Sequence, residues 1–225
     1  MARHLPLSTD TGAKRSGAVA IVGSAGAIPA LIELLAPLPP SFPFPIIIAQ
    51  HLSRTAPSVL PTVLALHSRL PIKWAEPEEV PENGVIYVVP GDHRLVVGRR
   101  GFNLAPLMPR SSDWLRCADV LFYSIALRYG PGAVGIVLSG ILPVGTAGLR
   151  SITRRGGVTM AQNRRSAAYS EMPTGAIDQG KAEIVLVPRR LSEALIAFAE
   201  AREQEGGVTR APPPAPFRSG PEHRA

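Results

Sequence analysis

Short apolar runs recur along this chain, and each gives way to a turn and then to a stretch of helical periodicity. The runs at 18–22, 45–49, 85–89, 133–138 and 158–161 carry no charge. A strand with one face in water alternates apolar and polar residues. These runs do not, so both of their faces must be covered, as in a parallel sheet. Shorter runs at 72–75 and 183–187 extend the pattern. Helical segments are expected at about 27–36, 56–67, 113–129, 145–154 and 191–202, with a short one at 174–179. Pro61 argues for a late start or a kink in the second. Strands alternating with helices specify an α/β fold, a parallel sheet with helices on both faces. Residues 93–97 and 101–105 break the rhythm and read as a hairpin closed across Gly98-Arg99-Arg100-Gly101.

The same apolar density has to be read against a membrane span. Residues 17–49 hold one charged side chain, Glu33, behind Arg3, Lys14 and Arg15. Pro29, Pro37, Pro39, Pro40, Pro43 and Pro45 interrupt the stretch, so no run of about 20 helical apolar residues survives. A signal peptide fits poorly, because the apolar character continues past any cleavage site. A chain of 225 residues, 45% hydrophobic, supports one domain of roughly 180–200 residues. It is expected at 17–203. The polar stretch 1–16 and the Pro/Arg-rich stretch 204–225 read as disordered tails that bury too little to order themselves. No internal repeat is visible. One cysteine, Cys117, excludes an internal disulfide and fits a cytoplasmic setting. The net charge of +7 is partly gathered in the pairs Arg99-Arg100, Arg154-Arg155, Arg164-Arg165 and Arg189-Arg190. It reads as solubility charge or as a surface for an acidic partner, and carries no nucleic-acid assignment.

In open α/β sheets ligands bind beyond the carboxyl ends of the strands. Ser24 follows the first run, His51 follows the second, and residues 141–145 follow the run at 133–138. Three distant segments thus bring candidate groups to one edge of the sheet. Ser24 lies in Gly23-Ser24-Ala25-Gly26-Ala27, whose small residues suit the tight bend of a nucleophile elbow. Val22 stands in place of the first glycine of the full Gly-x-Ser-x-Gly pattern. Two other readings stay open for this serine: a plain N-cap, or a phosphate cradle at a helix N-terminus. The dinucleotide glycine fingerprint and the Walker lysine are both missing. Of His4, His51, His67, His93 and His223, only His51 leaves a strongly apolar strand at that edge, as a general base or as a structural histidine. No His/Cys cluster has metal-ligand spacing, and no metal or organic cofactor is expected.

Several segments share an order as well as a composition. They are Ile21-Val22-Gly23-Ser24-Ala25-Gly26-Ala27-Ile28-Pro29-Ala30-Leu31, Ala49-Gln50-His51-Leu52, and Ile86-Tyr87-Val88-Val89-Pro90-Gly91-Asp92-His93. Asp119-Val120-Leu121-Phe122-Tyr123-Ser124, the glycine-rich loop from Leu138 to Leu149, Ala161-Gln162-Asn163 and Met172-Pro173-Thr174-Gly175-Ala176-Ile177 follow. Each is weak alone. The ordered set resembles the catalytic domain of the chemotaxis protein-glutamate methylesterase (CheB) family. That resemblance implies a three-layer α/β/α sandwich with a mainly parallel, doubly wound sheet and a peripheral hairpin. It implies a hydrolase that removes methyl esters from chemoreceptor glutamates, releasing methanol; some members also deamidate receptor glutamine. Under it Ser24 matches the nucleophile, His51 the base and Val144 the position of the triad aspartate. Ile141 matches a residue whose backbone N–H helps hold the oxyanion, with the N–H near Ala25 as the second donor. The implied partner is a methylated chemoreceptor or similar signalling protein. No receiver domain is matched ahead of the first run, so phosphorylation control in cis is not expected.

Val144 is the departure that matters most. Valine can neither accept the His51 ring N–H nor stabilise imidazolium. No Asp or Glu occurs between residues 120 and 170, and Asp119 or Glu171 could serve only if the fold brings one to His51. Ala27 in place of the family's second glycine, and Leu115-Arg116-Cys117 ahead of Asp119, add to the drift. Losing the triad acid costs on the order of 10⁴-fold, or about 5.5 kcal/mol, in other triads. The expectation is therefore a weakened esterase. A catalytically inactive receptor- or partner-binding domain of the same fold is the alternative. A phosphate-binding module built on the Gly23–Gly26 turn is a third reading.

Overall fold

The computed structural model describes residues 17–52, 58–107, 112–179 and 181–207. The expected tail 1–16 lies outside the described residues, as does 208–225. The expected runs are strands: β1 (Ala18–Gly23), β2 (Ile46–Gln50), β3 (Ile72–Trp74), β4 (Ile86–Val88), β7 (Ala133–Val137), β8 (Val158–Gln162) and β9 (Ile184–Leu186). They form one seven-stranded sheet in the order β3-β4-β2-β1-β7-β8-β9. Every recorded pair in it is parallel. β5 (His93–Val97) and β6 (Phe102–Pro106) form the separate antiparallel hairpin, with Val97 opposite Phe102.

The helices divide between the two faces. α1 (Ala27–Leu35), α2 (Leu60–Ala65) and α6 (Pro188–Gly207) cover one. Their Leu31, Leu34, Leu64, Leu191 and Leu195 pack on Val19, Ile21, Ile46 and Ile48. α3 (Ser112–Tyr129), α4 (Thr146–Arg154) and α5 (Glu171–Asp178) cover the other. There Leu121, Phe122, Ile125, Leu149 and Ile152 pack on Ala20, Ile47 and Val137, joined by Leu95 and Phe102 of the hairpin. Successive residues of β1 point to opposite faces, so Val19 and Ile21 serve one core and Ala20 and Val22 the other. Each fully buried Val or Ile contributes roughly 1.5–3 kcal/mol, which is why both faces of the sheet must be covered.

Helix starts differ from expectation where proline is involved. α5 begins at Glu171 rather than 174, with Pro173 in its first turn. α6 begins at Pro188 rather than 191. Proline lacks an N–H, and first-turn N–H groups have no intrahelical acceptor, so nothing is lost there. α2 starts late, at Leu60, with Pro61 in its first turn. α6 also runs to Gly207, past the expected start of the tail, and an Arg202–Glu205 ion pair supports its last turns. Among the described residues, no helix is long and apolar enough to cross a membrane.

Candidate active site

β1 sits at the centre of the sheet. The chain builds β2, β3 and β4 to one side of it, then crosses to add β7, β8 and β9 on the other. The carboxyl ends of β1 and β7 are therefore a topological switch point, where neighbouring loops part to opposite faces and leave a crevice. Ser24 leaves β1 there, the loop at 139–145 leaves β7, and His51 leaves β2 on the next strand over.

The register brings nucleophile and base together. Gly23 is paired with Gln50, and the His51 N–H donates to the Gly23 carbonyl at 3.0 Å. One residue further, Ser24 Oγ lies 3.4 Å from His51 Nδ1. That contact is long for a hydrogen bond, as catalytic contacts often are before substrate binds. Burial lowers the pKa of His51 from its ordinary value of 6.5. The ring is thus kept neutral at physiological pH, as a proton acceptor must be.

The turn at 23–26 is held on all sides. The Ser24 N–H donates to the Ser139 carbonyl at 2.9 Å, and the Ser24 carbonyl accepts the Ala27 N–H at 3.2 Å. Gly26 closes it at φ 74, a left-handed conformation that suits glycine, and no side chain caps α1. The plain N-cap reading of Ser24 therefore has no hydrogen bond behind it. Three buried polar side chains support the turn: Gln50, Ser139 and Gln162. The Ser139 hydroxyl donates to the Ala25 carbonyl at 2.8 Å and accepts the Tyr169 N–H at 2.9 Å. Gln162 accepts the Ser139 N–H at 3.0 Å and donates to the Ser166 carbonyl at 3.0 Å. Gly140 is packed so closely that a Cβ there would stand 1.9 Å from Met172 Sδ and 3.0 Å from Ser24 Cβ.

Ser24, Ala25, His51 and Ile141 line one open groove of about 520 Å³, together with Ile28 and Pro29. Ile28 and Ile141 keep large apolar side chains exposed at its mouth. Among the described residues, no backbone carbonyl takes the N–H of Ala25 or of Ile141. The Ser24 N–H, by contrast, is engaged by the Ser139 carbonyl.

Val144 is not part of the groove wall. It is 5% exposed and belongs to the apolar cluster that includes Ala118 and Phe122. Asp119 is drawn elsewhere: its Oδ1 accepts the Gly148 N–H at 2.7 Å, at the start of α4. Burial raises the pKa of Asp119, and the Gly148 and Ala147 N–H groups partly offset that rise. Glu171 is exposed in the first turn of α5. Among the described residues, no group of three or more His, Cys, Asp or Glu side chains could hold a metal ion.

The sequence puts Ser24, His51 and residues 141–145 at one edge; the structure brings Ser24, Ala25, His51 and Ile141 to one groove and buries Val144 behind it. Sequence reasoning passed over Gln50, Ser139 and Gln162 as functional groups. A polar residue closing an otherwise apolar strand was the available signal in Gln50 and Gln162.

The chain matches the family model described as CheB methylesterase over residues 19–195. It is 33% identical over 184 residues to "Protein-glutamate methylesterase/protein-glutamine glutaminase 1" of Carboxydothermus hydrogenoformans, a match covering 80% of this chain and 54% of that one. It is 36% identical over 196 residues to "Protein-glutamate methylesterase/protein-glutamine glutaminase 3" of Myxococcus xanthus, covering 84% and 54%. The chain thus spans about half the length of these curated relatives. The solved catalytic domain of the Thermotoga maritima CheB methylesterase superposes with a TM-score of 0.74 at 26% identity, over 81% of this chain and 98% of that domain.

Proposed function

This chain belongs to the CheB methylesterase family, and from that premise we propose that it is a serine hydrolase removing methyl esters from glutamates of a chemoreceptor or similar cytoplasmic signalling protein. Ser24 Oγ attacks the ester carbonyl while His51 takes its proton. The developing oxyanion sits against the Ala25 and Ile141 N–H groups. Collapse of the intermediate expels methanol, which receives the proton from His51. Water, deprotonated by His51, then frees the glutamate and restores Ser24. By the family resemblance Val144 stands at the triad-acid position, so that position offers His51 no carboxylate to stabilise its imidazolium. The pair and the oxyanion donors then retain on the order of 10²–10³-fold over water. A methyl ester is more reactive than an amide, so ester hydrolysis survives this loss better than glutamine deamidation.

The observation that carries the reading is the 3.4 Å approach of Ser24 Oγ to His51 Nδ1 at the switch point. Methanol release from a methylated receptor fragment tests it. The parent should release methanol slowly, Ser24→Ala and His51→Ala not at all, and Val144→Asp faster than the parent. The apolar burial of Val144 favours a second reading, a domain that binds the receptor without cleaving it. Parent and Ser24→Ala that bind the fragment equally, with no methanol from either, would select that reading.

A further inference from the structure

Gln50 closes β2 and is 4% exposed, and the two ends of its amide fare differently. Nε2 donates to the Ser24 carbonyl at 2.7 Å and to the His51 carbonyl at 3.3 Å. Oε1 is also buried and has no hydrogen-bond partner among the described residues. Stranding a buried acceptor costs about 1–3 kcal/mol, and methionine, unbranched and of similar length, would avoid that cost. Among the described residues, the hydrogen bonds of this glutamine therefore run through its donor end alone.

That end reaches the carbonyls of the two residues whose side chains make the proton-transfer contact. The last backbone tie between the two strands is the His51 N–H to Gly23 carbonyl bond. Beyond it the chains part, one into α1 and the other toward residue 52. Gln50 is the one side chain, among the described residues, that hydrogen-bonds both Ser24 and His51 on their carbonyls. We propose that Gln50 is a positioning residue: its two amide N–H groups clamp the nucleophile turn to the base loop and set Ser24 Oγ within reach of His51. This deepens the esterase reading and rests on it for its kinetic part only.

Two variants test it, Gln50→Met and Gln50→Glu. Crystal structures of parent and Gln50→Met give a result independent of turnover. The Ser24 Oγ–His51 Nδ1 separation should widen beyond hydrogen-bonding range in the variant; an unchanged separation overturns the proposal. In kinetics, Gln50→Met should lower kcat and the rate of fluorophosphonate modification of Ser24 about 10–100-fold, with KM and Tm close to the parent's. In Gln50→Glu an ionised carboxylate repels both carbonyls, whereas its protonated form donates to one, and burial raises its pKa. Its activity should therefore recover as pH falls toward that pKa, against the parent's trend. Parent-like rates and pH profiles in both variants also overturn the proposal, and if Gln50→Met does not fold, Gln50→Glu decides it alone. A parent that neither turns over nor reacts at Ser24 sinks the esterase reading, and the structural comparison still decides the role of Gln50.

Discussion

Val144 is buried, 5% exposed, in the apolar cluster with Ala118 and Phe122. Replacing it with aspartate sets two effects against each other. A buried carboxylate without a partner costs several kcal/mol, while one that meets the His51 ring stabilises the imidazolium of the transition state. Val144→Asp should raise kcat by about 10²–10⁴-fold, measured with an activated ester, and should lower Tm. It should also move the pH profile upward, because a neighbouring negative charge favours protonated imidazole. The parent's own profile follows from His51, whose pKa burial holds below 6.5. Its kcat/KM should climb with pH through that lowered pKa and level off above it, measured in steady state. Stability follows the same direction. Between the lowered pKa and 6.5 the unfolded chain binds the extra proton, so stability falls as pH drops through that window and returns as pH rises.

The elements matter through their ends. Four neighbouring strands, β2, β1, β7 and β8, finish at Gln50, Gly23, Val137 and Gln162, and the loops beyond them are tied by isolated backbone bonds and by side chains. Ser139 carries two of these ties, to the Ala25 carbonyl and from the Tyr169 N–H. Ser139→Ala should destabilise by about 1–3 kcal/mol in urea titrations, since both backbone groups lose a buried partner. It should also slow modification of Ser24. The strands were legible because uncharged apolar runs have few alternatives in a covered sheet. The starts of α5 and α6 were not: Pro173 and Pro188 sit inside first turns, upstream of the segments 174–179 and 191–202 where the helices are expected. The roles of Gln50 and Gln162 were also hidden. A polar side chain at a strand end becomes a buried clamp only once neighbouring loops close over it, and those neighbours come from segments far apart in sequence.

Across the whole molecule, two cores press on one sheet, and the edge left uncovered carries the groove. Phe122, fully buried, lies where α3 meets α4: Cβ atoms built at Gly145 and Gly148 would stand 2.9 and 2.6 Å from its side chain. Phe122→Ala should cost about 3–5 kcal/mol and lower Tm by roughly 6–20 °C in a calorimetric scan. It should also loosen the loop that carries Ile141 and Val144. The α/β class and the position of the site at the strand ends could be argued from residues alone, since alternation and the edge rule are local patterns read in series. The depth of Val144 could not, because it depends on how α3 packs over the loop after β7. The central claim is that Ser24 is a nucleophile activated by His51, and labelling tests it most directly. A fluorophosphonate should modify the parent at one site, located by mass spectrometry to the peptide containing Ser24, and His51→Ala should abolish that modification. A parent left unmodified at Ser24, or labelling that persists at the same rate without His51, would contradict it.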